Sequence, residues 1–291
     1  MTTIGLDYAS VDANAKPNFI AARNAGIRFA IPRAIYGRSV IGGTTPFRDP
    51  VWARDKDAIL GAGLKRSAYL FLCYEKPGVH TPSPEDQAQA FIDYVKLGEL
   101  EGGSQDMVPF FDVEEASPMG ADAMFSWTVR CAQKLRDHYG AWPGMYSSER
   151  VWTENLNNHA PGVLINCPLW IAKPWPWAIR TPIHLDGAPS YSPTPIVEWG
   201  NQWWVYQYQG DAIQCPGFNK TVDANRFRVF GKGAKGQHVM WAQQRLAITA
   251  DGIFGPLTEF AVKDFQACHG LSADGIIGLD TFTPLGWQNP A

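Results

Sequence analysis

Apolar segments that read as strands alternate with helix-like segments along most of this chain, and no other feature constrains its fold as strongly. The strand-like segments cover 4–6, 29–31, 68–72, 108–111, 144–146, 169–172 and 203–208. Short apolar runs bounded by turn residues are typical of buried strands. Strands separated by helices pair in parallel, and this many of them predict an α/β fold built as a β/α barrel.

The helix-like segments begin and end at recognisable signals. They cover 18–24, 50–60, 84–97 and 119–139. Ser83 precedes Pro84 and two acids, which is typical of a capped first turn, and Gly140 ends the last segment. Prolines then follow in quick succession at Pro174, Pro176, Pro182, Pro189, Pro193 and Pro195. We therefore expect the barrel to be irregular after its first four units.

Two carboxylates lie two residues apart at the end of the apolar run 107–111. Residues i and i+2 of a strand face the same side, which places Asp112 and Glu114 in one pocket with Cα atoms about 6.5 Å apart. Glu115 then points away as a structural or solvated acid. Glycoside hydrolysis uses such a pair, one carboxyl as general acid and the other ionised. For an acidic pair that stands alone, surface acids at a strand end are the alternative.

Two further acids, Asp7 and Asp223, lie at or just beyond other strand ends. Each of the four acids taken singly could be a cap, a turn residue or a salt-bridge partner. In a barrel, however, the carboxyl ends of the strands converge on one face, where active sites are built. Their joint placement therefore favours one catalytic cluster of Asp7, Asp112, Glu114 and Asp223.

Aromatic residues at strand ends are candidates for sugar binding by stacking or hydrogen bonding. These candidates are Tyr74, Tyr146, Trp170 and Tyr206. Core packing is the alternative for every aromatic residue, and we expect it for Trp152 and Trp203.

The sequence pattern near the end of the chain differs from that of the rest. The segment from Gly231 to Gly236 has three glycines in six residues, which predicts a linker. Beyond it, the sequence from Asp251 to Thr258 is echoed 23 residues later from Asp274 to Thr281. A short repeat of this kind indicates a separate small module of about 55 residues. We therefore predict domains at 1–230 and 237–291, joined by residues 231–236.

Composition excludes several classes of function. The net charge of −3 gives no electrostatic case for nucleic acid, and no apolar run reaches the roughly 18 residues of a membrane span. The five cysteines are scattered and show no paired spacing, so we predict neither a zinc site nor a disulfide framework, but free, mostly buried thiols. We expect a monomer without cofactors. The first residues lack the features of a secretory signal, which predicts synthesis without export.

The motifs of residues 1–230 resemble those of glycoside hydrolase family 25, the muramidase-type lysozymes of phages and bacteria. The matching segments are 4–7 (Ile-Gly-Leu-Asp), 111–114 (Phe-Asp-Val-Glu), 169–172 (Leu-Trp-Ile-Ala), 204–208 (Trp-Val-Tyr-Gln-Tyr) and 222–227 (Val-Asp-Ala-Asn-Arg-Phe). The resemblance implies an irregular β/α barrel. It also implies that Glu114 is the general acid and base, and that Asp112 assists through the N-acetyl group of the substrate. We expect burial and neighbouring carboxylates to raise the pKa of Glu114.

The last module resembles a type 1 peptidoglycan-binding domain, a three-helix unit. The resemblance covers 239–246, the first Asp-Gly turn with the segment 261–266, and 270–278. Together the two resemblances imply a peptidoglycan-cleaving endolysin, made in the host cytoplasm and released to the wall by a separate membrane-permeabilising protein. The alternatives are a binding protein on a degenerate hydrolase scaffold and an intracellular glycosidase acting on small sugars. Direct attack by water, rather than by the substrate's own N-acetyl group, also stays open.

Overall fold

The computed structural model describes residues 3–11, 15–40, 42–98, 105–172, 196, 199 and 203–288. The prolines from Pro174 to Pro195, on which the prediction of irregularity partly rests, lie outside these residues. The strands are β1 (Thr3–Tyr8), β2 (Ile27–Tyr36), β3 (Phe47–Arg48), β4 (Lys65–Arg66), β5 (Tyr69–Phe71), β6 (Phe110–Asp112), β7 (Gly144–Ser148), β8 (Leu169–Ala172), β9 (Val205–Gln214) and β10 (Thr221–Phe227).

Within the described residues, eight strands close into a barrel in the order β1-β10-β9-β8-β7-β6-β5-β2, and β2 returns to β1. β3 and β4 are short additions that pair with β2. The predicted barrel is confirmed. β10 differs from the other seven because it runs antiparallel to both neighbours, β1 and β9. The predicted alternation of strands and helices implied only parallel pairs, so this antiparallel closure is new.

Helices cover the outside of the barrel close to their predicted positions. They are α1 (Phe19–Asn24), α2 (Pro50–Gly61), α3 (Pro84–Val95), α4 (Ala121–Tyr139) and α5 (Glu149–Glu154), with a 3₁₀ helix at Gly162–Asn166. Ser83 caps α3 by accepting a hydrogen bond from the Asp86 amide at 3.1 Å. Gly140 ends α4 in the left-handed region, at φ 69°.

Side chains alternate between the two faces of the barrel strands, and this alternation produces two apolar layers. Outward-facing side chains such as Leu70, Phe111 and Ile171 pack against α3 and α4. Inward-facing aromatic rings such as Phe29 and Phe110 fill the barrel. Glycines opposite these rings make the filling possible: a Cβ on Gly5 would collide with the Phe29 ring.

The C-terminal module contains α6 (Gln237–Arg245), α7 (Pro256–Cys268) and α8 (Leu279–Leu285). Its sequence repeat is also a structural repeat. Gln243 donates to Asp251 Oδ1 at 2.8 Å and to Thr258 Oγ1 at 3.0 Å. In the second copy, Gln266 donates to Asp274 Oδ1 at 2.8 Å and to Thr281 Oγ1 at 2.9 Å. One glutamine per copy therefore fixes the Asp-Gly turn to the start of the next helix.

The expected linker is hydrogen-bonded into this module. Phe230 pairs with Ile277 and Lys235 with Ile253 as isolated bridges. The Gly236 amide donates to the Gly252 carbonyl at 2.9 Å. Residues 231–236 therefore form the module's edge, in contrast to the flexible tether that their glycines suggest.

The module covers the floor of the barrel, at the amino ends of the parallel strands. Trp204 stands just before β9, and its ring centroid lies 4.4 Å from that of Trp241 and 4.7 Å from that of Phe282. Phe282 also packs on Phe227 at the end of β10, at 5.0 Å. Trp287 donates from Nε1 to the Asp106 carbonyl at 2.8 Å. Barrel and module thus share one apolar core. No helix in the described part of the chain has the length and apolar character to cross a membrane.

This shared core predicts unequal effects for two phenylalanines of the module. Phe282→Ala removes a fully buried ring from the interface and should lower the free energy of unfolding by about 3–5 kcal/mol. Phe260→Ala alters a ring that is 72% exposed and should change it by less than about 0.5 kcal/mol. Urea denaturation measures both. Equal effects would contradict a shared core.

Candidate active site

Four acidic side chains meet at the carboxyl end of the parallel strands, opposite the floor. Asp7 on β1 is the register partner of Asp223 on β10. Asp112 ends β6, and Glu114 follows two residues later. Their proximity is visible at the Tyr146 phenol, whose pKa is raised well above its usual value, first by burial and then by four carboxylates. These are Glu114, Asp112, Asp7 and Asp223. The structure therefore brings the predicted acids together.

Two amide side chains hold Asp7 and Asp223. Gln207 on β9 donates from Nε2 to Asp7 Oδ1 at 3.1 Å and to Asp223 Oδ2 at 3.0 Å. Asn225 on β10 donates from Nδ2 to Asp7 Oδ1 at 2.7 Å. Asp7 is 5% exposed, so these donors replace the water that a buried carboxylate requires.

Asp112 has a different environment from Asp7. It is 6% exposed, and its Oδ1 is buried without a hydrogen-bond partner. Burial raises the pKa of Asp112 well above its usual range, the charges of Glu114 and Asp7 raise it further, and Arg33 acts in the opposite direction. In the absence of substrate, the environment of Asp112 therefore favours the protonated carboxyl.

Glu114 differs from its predicted environment because its side chain is exposed. The prediction that burial raises the Glu114 pKa is therefore wrong in its premise. The strand ends at Asp112, so the i, i+2 rule does not extend to residue 114. Asp112 is therefore the buried member of the pair, while the side chain of Glu114 projects toward the solvent side of the cluster.

Glu115 has a structural role, as predicted, and anchors the segment that carries Glu114. It forms a two-point ion pair with Arg38, whose Nη1 donates to Oε1 at 2.7 Å. Lys76 donates to Oε1 at 2.8 Å, and the Tyr74 amide donates to Oε2 at 2.9 Å. Burial acts to raise the pKa of Glu115, but the hydrogen bonds from Arg38 and Lys76 outweigh it and lower that pKa.

Of the four predicted sugar-binding aromatics, two lie in the cluster. The half-buried Tyr146 donates to Gln207 Oε1 at 2.9 Å. Trp170 is 1% exposed and lies below Tyr146, with ring centroids 4.8 Å apart. It donates from Nε1 to Asn225 Oδ1 at 2.8 Å. Trp170 therefore supports the cluster from below and is too deeply buried to stack on a sugar.

Tyr74 and Tyr206 are too deeply buried to contact a sugar, so their prediction as sugar-binding residues needs correction. Both are fully buried in the layer between the strands and the outer helices. Tyr74 shares a 2.7 Å hydrogen bond with Thr128 on α4. Tyr206 packs against Trp203, with ring centroids 6.0 Å apart. Tyr206 lies at an outward-facing position of β9, on the face opposite Gln207, and Tyr74 follows the end of β5. Trp152 and Trp203 are core residues, as predicted.

Comparison with known families decides the assignment. The family model for glycosyl hydrolases family 25 matches residues 6–217, and the one for a putative peptidoglycan binding domain matches residues 235–285. This chain belongs to glycosyl hydrolases family 25. Both predicted resemblances are confirmed, and with them the prediction that the chain is a glycoside hydrolase. Asp7, Asp112 and Glu114 fall inside the matched range, whereas Asp223 follows its end.

Solved structures of the family share the fold. The bacterial lysozyme from Streptomyces coelicolor superposes with a TM-score of 0.61 at 18% identity, over 78% of this chain and 93% of that one. The catalytic domain of endolysin ply40 from Listeria monocytogenes bacteriophage P40 gives 0.54 at 15% identity, over 78% and 94%.

A curated relative shares a shorter stretch with this chain. The N-acetylmuramoyl-L-alanine amidase CwlL of Bacillus licheniformis is 68% identical over 83 residues, which are 28% of this chain and 20% of that protein. The chain thus spans only about a fifth of the length of this relative.

Two site residues were not among the predicted ones. Gln207 and Asn225 fix the carboxylates of this family 25 site, but in the sequence they appear only as members of the motifs at 204–208 and 222–227. Gln207 lies between two tyrosines in an apolar strand, so its side chain faces the opposite side from theirs. A single polar residue on that face is the signal that could have identified it. Within the described residues, no group of three or more acidic, histidine or cysteine side chains is arranged to hold a metal ion.

The Glu115 anchor predicts a pH-dependent contribution to stability. Because its folded-state pKa is lowered, the contribution is present above the unfolded pKa of about 4.3 and disappears as the pH falls through the folded value. Glu115→Gln should be about 1–3 kcal/mol less stable than wild type near neutral pH. This gap should narrow below about pH 4 in urea denaturation.

Glu85→Gln is the matched control, because Glu85 pairs with Arg130 while 39% exposed. An exposed pair of this kind contributes about 0–1 kcal/mol. A gap for Glu115→Gln that is constant with pH would contradict the anchor.

Proposed function

We propose that this chain is a lysozyme that cleaves the β-1,4 bond between N-acetylmuramic acid and N-acetylglucosamine in peptidoglycan. The observation that carries the proposal is the asymmetry of the acidic pair. Asp112 is buried with one oxygen unpartnered, while Glu114 two residues later is exposed. One carboxyl can thus contact a substrate group inside the pocket and the other can reach the leaving oxygen.

In this mechanism Glu114 is the general acid. It gives its proton to the leaving glycosidic oxygen as the bond to the anomeric carbon breaks, and as a carboxylate it later removes a proton from the attacking water. Because Glu114 is exposed, it can exchange protons with solvent between turnovers.

Asp112 then acts on the N-acetyl group. Its Oδ1 has no partner, and an acetamido N–H is the donor that would complete it. A hydrogen bond to the carboxylate offsets the burial that raises the Asp112 pKa, so substrate binding favours ionisation. The ionised carboxylate orients the acetamido oxygen to attack the anomeric carbon and stabilises the cyclic cation that results. Direct attack by water is the variant of this scheme in which Asp112 acts only by charge.

Asp7 and Asp223 complete the negative cluster that faces the cationic transition state. They lie on neighbouring strands and share the Gln207 donor. Negative charge fixed in a pocket stabilises an oxocarbenium-like centre without reorganisation.

The C-terminal module supports peptidoglycan as the substrate. Its match to a putative peptidoglycan binding domain supports a wall-binding role for the unit that accompanies the site. CwlL is named as an amidase of N-acetylmuramoyl-L-alanine, which is also a wall bond. We infer an endolysin that acts as a monomer, without nucleic acid or membrane insertion, and that passes from the host cytoplasm to the wall. The likeness to endolysin ply40 is consistent with that role.

A non-catalytic wall-binding protein on the same scaffold is the second candidate. It would require the acids to be dispensable. The complete cluster of Asp7, Asp112, Glu114 and Asp223 favours the enzyme.

Glu114→Gln should lower the rate of peptidoglycan cleavage by about 10²–10⁴-fold, since it removes the transferable proton while keeping the shape. Loss of turbidity of a cell-wall suspension measures the rate. Glu154→Gln, at the exposed end of α5, is the matched control and should cleave at the wild-type rate. A wild type no faster than Glu114→Gln would favour the binding protein.

Mass spectrometry of the released fragments tests which bond is cut. New reducing ends should be N-acetylmuramic acid. Reducing ends of N-acetylglucosamine would overturn the proposed bond while leaving the hydrolase class intact.

A further inference from the structure

Gln207 occupies the centre of the cluster, although its side chain carries no charge. On β9 its neighbours Tyr206 and Tyr208 face the outer layer, and Gln207 faces the barrel interior with 6% of its surface exposed. Its Nε2 lies 3.1 Å and 3.4 Å from the two oxygens of Asp7 and 3.0 Å from Asp223 Oδ2. The NH₂ group of one amide is therefore shared between two carboxylates.

The orientation of this amide is set by the two carboxylates, which can only accept, and Tyr146 satisfies its other end. The Tyr146 hydroxyl donates to Gln207 Oε1 at 2.9 Å, so the carbonyl side of the amide faces the tyrosine. Reversal would place the carbonyl oxygen against Asp7 and Asp223 and leave two acceptor groups facing each other. Trp170 constrains Asn225 more strictly, because an indole N–H can only donate and so requires Asn225 Oδ1 to accept, whereas a phenol hydroxyl can donate or accept.

We propose that Gln207 is a positioning residue that keeps Asp7 and Asp223 both ionised and at a fixed separation. This inference rests on the proposed function. Two carboxylates this close would otherwise share a proton, since one ionised group disfavours the ionisation of the other. The two N–H groups of Gln207 take the place of that proton. The negative charge of the pair is then available when positive charge develops on the sugar.

Other ionisable groups face the same space, and all of them except Tyr146 are common to every variant considered. They are Asp112 at the end of β6, Glu114 two residues after it, Tyr146 on β7, Tyr69 on β5 and Arg33 on β2. Asp112, by contrast, has no donor on Oδ1. Gln207 therefore divides the cluster into two parts. Asp7 and Asp223 form a pair that stays ionised, and Asp112 is a carboxyl that receives its hydrogen-bond donor from the substrate.

The test is the pH dependence of cleavage of soluble glycan fragments of purified peptidoglycan. Gln207→Met keeps the length of the side chain and removes both donors. Protonation of the Asp7–Asp223 pair should then occur at higher pH. The acid limb of the pH profile of kcat/KM should therefore shift to higher pH by about one unit or more. The value of kcat at the optimum should fall by up to about 100-fold, with a smaller change in KM. Gln207→Glu adds a third carboxylate and should move the limb further.

Tyr146→Phe provides a milder second variant. It leaves Gln207 and both of its N–H donors in place but removes the hydroxyl that donates to Gln207 Oε1, so the acid limb should move in the same direction by less. The double variant Gln207→Met, Tyr146→Phe should resemble Gln207→Met alone, because Tyr146 acts here through Gln207. If Gln207→Met fails to fold, the pH profile of Tyr146→Phe tests the positioning role in its place.

Gln87→Met is the matched control. Gln87 is also a fully buried glutamine, but it joins the Cys73 and Pro82 carbonyls outside the cluster, each at 2.8 Å. Its loss should lower thermal stability and leave the acid limb at its wild-type position. If wild type cleaves and the Gln207 and Tyr146 variants also keep the wild-type limb, the positioning role is overturned. If wild type fails to cleave, it is the proposed function that fails.

Discussion

The antiparallel pairing of β10 with β1 is the interaction on which the rest of this structure depends. It closes the barrel, and its register sets Asp223 opposite Asp7. The same strand carries Asn225, which faces the interior two residues later and donates to Asp7. Because side chains alternate along a strand, a shift of one residue would turn both Asp223 and Asn225 to the outside. Closure of the fold and assembly of the acidic cluster are therefore one event.

Much of this architecture could be predicted from local patterns. Apolar runs, helix caps and the glycine stops located the strands and helices, because each depends on a few neighbouring residues. The position of Asp7 and Asp112 followed from one general property of barrels, the convergence of strand ends. The antiparallel β10 could not be predicted in this way, since strand direction depends on which distant strand accepts its hydrogen bonds. The repeat, likewise, identified the module but not the surface on which it packs.

The errors at the site have one physical origin. Tyr74 and Tyr206 are predicted from their places at strand ends, but position along the chain does not determine which face a side chain occupies. Tyr206 and Gln207 are neighbours, and alternation sends one to the outer layer and the other to the centre of the cluster. For Glu114 the predicted alternation extends past Asp112, the residue at which β6 ends. A strand rule holds only while ladder hydrogen bonds continue.

The module's position links the two ends of the barrel. Trp204 and Phe227, which meet Phe282 on the floor, belong to the same β9–β10 pair that carries Gln207, Asp223 and Asn225 at the other end. This pair is the antiparallel part of the barrel. In the parallel part, strands lead into outer helices such as α3 and α4, which pack over them. Burial of Trp204 and Phe227 against α6 and α8 adds apolar contact to the β9–β10 pair from below. The C-terminal module thus also stabilises the strands that hold the acidic cluster in register.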